Sequence, residues 1–123
     1  MGKYLLIGIG GLLGAILRYI VSGIIPVKFG IPTGTLTVNL IGSFVLGFLM
    51  YTSIFGHIPP ETKILFGTGF CGAFTTFSTF SFETFALIEE GLIIKALLNV
   101  FINVMGCLVL IYLGRTLALT LYR

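Results

Sequence analysis

The stretch Gly67-Thr68-Gly69-Phe70-Cys71-Gly72-Ala73-Phe74-Thr75-Thr76-Phe77-Ser78-Thr79-Phe80-Ser81-Phe82-Glu83 decides how this chain is read. Three glycines fall within its first six residues, and five hydroxyls then share Phe74–Phe82 with four phenylalanines. Glycines and back-bonding Ser/Thr side chains allow a membrane helix to be interrupted, provided the freed backbone groups line a cavity or meet an ion. Interrupted helices at mid-membrane depth are typical ion-binding sites. Phe77 and Phe80 are three apart and hence neighbours on one helical face. That face is neither purely greasy nor purely polar, because the rings alternate with hydroxyls.

Outward from this stretch the chain remains apolar. Of 123 residues, 57% are hydrophobic and 9% charged, with a mean hydropathy of +1.15. A soluble domain carries about 25% charged residues, and a surface this poor in charge does not keep a monomer dissolved. A soluble enzyme, a nucleic-acid binder and a disordered tail are excluded. Proline, glycine and charge divide the chain into four spans, at about 4–25, 33–55, 64–88 and 92–113. Each is long enough to cross ~30 Å of hydrocarbon as a helix. Barrel strands would be shorter, about ten residues, and would alternate. The expected architecture is all-α: a single transmembrane domain over residues 1–123, with four helices and a break in the third.

The N-terminal Met1-Gly2-Lys3 runs directly into the first span without a short apolar region and cleavage site, so it reads as a span rather than a removable signal. Leu6 stands where a myristoylation signal needs Ser or Thr. Cys71 and Cys107 lie inside apolar segments with no metal-ligand spacing, and no nucleophile–base pair is visible. Neither a disulfide framework nor an enzyme is indicated.

The net charge of +3 reports topology rather than nucleic acid. Four spans put both termini and the second loop on one side, with Lys3, Lys63, Arg115 and Arg123. Lys28, Lys95 and a snorkelling Arg18 belong to the other. An excess this slight is compatible with one weakly biased orientation, or with copies that insert both ways and pair antiparallel. Four helices are too thin to enclose a polar path alone, so assembly is expected.

Small and polar residues recur at i, i+4 spacing: Gly10, Gly14 and Arg18 in the first span; Thr35, Asn39, Ser43 and Gly47 in the second; Asn99, Asn103 and Cys107 in the fourth. Helix–helix packing explains the glycines. Intramembrane amides are expensive unless partnered, and three of them in so small a domain suggest a wet path. Arg18 reads either as a snorkelling anchor or as a charge that concentrates anions at a vestibule. Glu83, the only intramembrane acid, reads either as a hydrogen-bonding partner or as a proton or cation carrier without a second station. A cation path is expected to show several inward carboxylates. Hydroxyls, amides and the positive rims of aromatic rings instead suit a small anion.

Three segments carry a resemblance. Gly10-Gly11-Leu12-Leu13-Gly14-Ala15-Ile16-Leu17-Arg18-Tyr19, Gly34-Thr35-Leu36-Thr37-Val38-Asn39-Leu40-Ile41-Gly42-Ser43-Phe44, and the Gly69–Glu83 part of the third span resemble the signature stretches of the Fluc/CrcB fluoride channel family. The likeness covers all four spans in order and length, and the fourth is the least distinctive. It implies an antiparallel dual-topology homodimer in the inner (plasma) membrane, with two fluoride pores each lined by both subunits. It further implies that Asn39 donates its amide to fluoride and that Phe77 and Phe80 present ring edges. Thr35, Ser78 and Thr79 would extend the polar track, with Arg18 at the entry. A structural sodium ion at the dimer centre would be held by the backbone carbonyls of Gly72 and Thr75. Where relatives commonly place Ser or Thr on the fourth helix, this chain offers Asn103 and Cys107, and a thiol is a weaker donor than a hydroxyl.

The implied function is passive export of cytoplasmic fluoride. The main alternative is a small multidrug-resistance-type proton-coupled antiporter, which places a mid-membrane glutamate in its first helix. Here that helix carries Arg18 and no acid.

Overall fold

The computed structural model describes residues 1–122. Arg123, counted above among the topology-setting charges, lies outside the described residues.

Three helices are long and apolar enough to cross a membrane: α1 (Gly2–Ile24), α2 (Thr33–Ile54) and α6 (Ile93–Tyr122). Between α2 and α6 the chain is helical in pieces. A first turn, α3 (Pro60–Thr62), leads into a nine-residue π-helical segment, Lys63–Cys71, and then α4 (Gly72–Phe74). Thr75 is extended at φ −85°, ψ 162°, and α5 (Ser78–Glu89) follows. No strand forms among the described residues. The chain is therefore an all-helical membrane protein.

α6 runs nine residues beyond Leu113, the expected end of the fourth span, through Gly114 and Arg115 to Tyr122. The reason is packing. A Cβ on Gly114 would overlap the carbonyl of Phe44, and one on Gly47 would lie 2.6 Å from that of Ile111. α2 and α6 thus meet backbone to backbone through glycine, and the contact draws the helix onward. α1 lies on the π-helical segment in the same way: a Cβ at Gly10 would strike Leu65 O, and one at Gly69 would lie 2.9 Å from Ile7 O. π-Helical geometry widens the turn and concentrates at functional sites.

The connections are tight. α1 and α2 are joined through a two-residue turn at Phe29 (φ 57°) and Gly30 (φ 73°), closed by paired backbone hydrogen bonds between Lys28 and Ile31. Lys95 at the start of α6 lies against Gly30, so this turn and the α5–α6 connection share one end of the bundle. Gly91 (φ 79°) stops α5, with the Leu92 N–H returning to Leu87 O at 2.9 Å.

Candidate functional site

α2 faces the interruption between α4 and α5, and Asn39 sits where they meet. Its Oδ1 accepts the Thr76 N–H at 2.9 Å, while its Nδ2 donates to Thr76 O and to Asn103 Oδ1, both at 3.2 Å. Because a backbone N–H can only donate, the orientation of the Asn39 amide is settled by the backbone itself. The side chain supplies partners that Thr76 loses on leaving the helix.

Two further groups serve the interruption. Thr79 N–H donates to Thr76 Oγ1 at 3.1 Å, and Arg18 Nε donates to Ala73 O at 3.0 Å. Arg18 is therefore tied to the end of α4. The Thr76 and Thr79 N–H groups would ordinarily close helical turns onto the carbonyls of Gly72 and Thr75. Both are directed to side chains instead, which leaves those two carbonyls with the donor chemistry a hard cation takes. Gly72 is exposed, and Thr75 Oγ1 turns back to Cys71 O at 2.9 Å.

The sequence-derived site residues divide between two cavities. Asn39, Phe77, Phe80, Asn103 and Cys107 line one of about 280 Å³, together with Thr76. Thr35 and Thr79 line a second, of about 200 Å³, with Glu83, Tyr19 and Ser22. Thr35 and Asn39 are one helical turn apart on α2, so the cavities follow one another along it. Ser78 is exposed and lines neither, nor does Arg18.

Phe77 is the N-cap of α5 with helical dihedrals (φ −91°, ψ −37°) and accepts the Ser81 N–H at 2.9 Å, so it and Phe80 adjoin on one face as their spacing suggests. Their ring centroids are 5.6 Å apart, with planes tilted by 52°. Phe80 is buried, whereas Phe77 is 78% exposed. Glu83 is half-buried and accepts from Thr35 Oγ1 at 2.6 Å. No charged side chain lines the larger cavity among the described residues.

Asn103 is buried and joins a longer series of bonds. Its Nδ2 donates to Asn99 O (2.9 Å) and Asn99 Oδ1 (3.1 Å); Asn99 Nδ2 donates to Thr84 Oγ1 (2.9 Å); and Thr84 donates to Phe80 O (2.8 Å). Sequence reasoning found the Asn99–Asn103 spacing but missed Thr84 and the role of Thr76. The i, i+4 amide pair was the available signal. The partner on α5 was not legible, because helical spacing says nothing about which helix faces which.

The profile of the family described as CrcB-like protein, Camphor Resistance (CrcB), matches residues 5–115. The chain belongs to the CrcB family. Among curated CrcB-type relatives, it is 68% identical to the fluoride-specific ion channel FluC of Methanocaldococcus jannaschii over 98% of both chains. It is 65% identical to that of Methanococcus aeolicus over the whole of both. The FluC protein of Pyrococcus furiosus is 49% identical over 92% of this chain and 93% of its own. This CrcB chain thus shares the length and order of proteins named as ion channels, not enzymes.

Proposed function

We propose that this CrcB-family chain is a fluoride channel, in which fluoride passes the cavity between α2, α5 and α6 passively and leaves the cytoplasm across the plasma membrane. One observation carries the reading: Asn39, Phe77, Phe80, Asn103 and Cys107 converge on one uncharged cavity beside the interruption of the third span. Amide N–H groups and ring rims replace the water of a small anion there without a full charge that would hold it too firmly. The names of the relatives supply fluoride as the ion. The smaller cavity, with Thr35 and Thr79, continues the track. In this reading Arg18, whose Nε donates to Ala73 O, would keep a positive charge at the entry.

The chain acts as an antiparallel dual-topology homodimer in this reading. Phe77 lines the cavity and yet is 78% exposed, so one wall awaits a second copy. The interruption of the third span is then a functional break: a sodium ion held between subunits by the carbonyls of Gly72 and Thr75 would supply the charge that those freed oxygens require.

Reconstituted vesicles loaded with fluoride, with no proton gradient and no organic cation, test the function. A channel empties them at once when an ionophore clamps the potential. A proton-coupled antiporter leaves them full, and so does a scaffold without a path. Crosslinking of single cysteines across the dimer tests the antiparallel arrangement separately.

A further inference from the structure

Five hydrogen bonds link the Thr76 N–H to the Phe80 carbonyl through four side chains: Thr76 N–H to Asn39, Asn39 to Asn103, Asn103 to Asn99, Asn99 to Thr84, and Thr84 to Phe80 O. Every link donates in the same direction. The two ends settle that direction, since a backbone N–H only donates and a carbonyl only accepts. The four side chains are all buried, and Asn99 is 0% exposed. In this arrangement both Nδ2 hydrogens of Asn39 are taken, by Thr76 O and Asn103 Oδ1. Asn103 also turns its oxygen, not its nitrogen, toward Asn39. An anion entering the cavity would therefore meet a carbonyl oxygen where it needs a donor.

Resting on the fluoride-channel reading, we propose that Asn99 and Thr84 are positioning residues that invert the polarity of this series when the anion arrives. The anion takes one N–H of Asn39 in place of Asn103 Oδ1. The Asn103 amide turns over and offers its Nδ2 to the anion, and the Asn99 amide turns over and donates to Asn103 Oδ1. The Thr84 hydroxyl swings from Phe80 O to Asn99 Oδ1. No covalent bond breaks and no proton changes owner. Asn103 gives up its bond to Asn99 O, and the anion gains two convergent donors. A hydroxyl is the right terminus because rotation about a single bond exchanges its accepting and donating directions.

The chain contains only three asparagines, Asn39, Asn99 and Asn103, so selective labelling of asparagine amide nitrogen gives three side-chain signals. Titrating the reconstituted protein with sodium fluoride at constant ionic strength, against sodium chloride, is expected to move all three with one midpoint. This includes Asn99, which lines neither cavity. A shift of Asn39 alone, or of Asn39 and Asn103 with Asn99 stationary, overturns the inversion.

Flux supplies the second reading. Asn99→Leu leaves the resting bond from Asn103 to the backbone carbonyl but removes the donor that the inverted state needs. It is expected to lower fluoride flux about tenfold, the loss of roughly one buried hydrogen bond. Asn99→Ser, which can donate or accept, is expected to return flux to within about threefold of the wild type. Equal flux through wild type and Asn99→Leu overturns the proposal while leaving the channel standing. A wild-type protein that carries no fluoride removes both.

Discussion

Asn39 holds both backbone groups of Thr76, accepting its N–H at 2.9 Å and donating to its carbonyl at 3.2 Å. One side chain on α2 thereby performs, for a residue outside any helix, what a neighbouring turn would otherwise do. The same amide reaches Asn103 on α6, so a single residue joins the interruption of the third span to the fourth.

Replacing Asn39 should therefore harm both stability and transport. Asn39→Leu leaves the half-buried Thr76 N–H and carbonyl without these partners, at a cost of about 1–3 kcal/mol. The expected outcome is a lower midpoint of thermal unfolding in detergent and, in vesicles, fluoride flux reduced at least about tenfold, a barrier change of about 1.4 kcal/mol.

Arg18 gives a prediction that separates its charge from its bond. Its Nε donates to Ala73 O at 3.0 Å, a geometry that a lysine ammonium cannot copy. Arg18→Lys keeps the charge and should cost about 1 kcal/mol of stability while retaining most of the flux. Arg18→Gln should lose flux most at low ionic strength, where the field of a charge reaches furthest. Flux measured across a salt series distinguishes the two variants.

The glycines of α1 are not equivalent. A Cβ on Gly14 would overlap Phe70 O, whereas one on Gly8 or Gly23 meets nothing within 4 Å. Gly14→Ala is expected to destabilise by about 1–3 kcal/mol through overpacking. Gly8→Ala should be neutral or slightly stabilising, since alanine is the better helix former by about 1 kcal/mol. Unfolding midpoints of the two variants check this.

Phe29 holds φ at 57°, a conformation costly for a bulky side chain, and is 90% exposed. Asparagine tolerates it far better, and Asn-Gly is the favoured pair in such two-residue turns. Phe29→Asn should stabilise the protein by about 0.5–1 kcal/mol, seen as a raised unfolding midpoint with unchanged flux.

Much of this was legible in the sequence because the bilayer restricts the alternatives. Apolar runs ended by Pro26, Pro32, Pro59 and Gly91 admit long helices and little else. Asn39, Phe77, Phe80, Asn103 and Cys107 stood out as polar or aromatic residues at regular spacing in apolar surroundings, and they do meet at one cavity. Less visible was the course of the third span. Periodicity treats residues 64–88 as one rod, but the chain leaves the helix at Thr75 and is helical again from Phe77 onward. The far end of α6 was hidden for a different reason. Gly114 reads as a stop, and only its approach to Phe44 on α2 makes it a packing residue. Ser78 belongs to the track only by the family resemblance; it is exposed and lines neither cavity.

Vesicles co-loaded with fluoride and chloride, read simultaneously by an electrode for each ion under a clamped potential, test the central claim most directly. The uncharged cavity lined by amides and ring rims predicts that fluoride empties within the first seconds of protein-mediated flux while chloride stays behind. Release of the two ions together, or retention of both at the rate of protein-free vesicles, would contradict it.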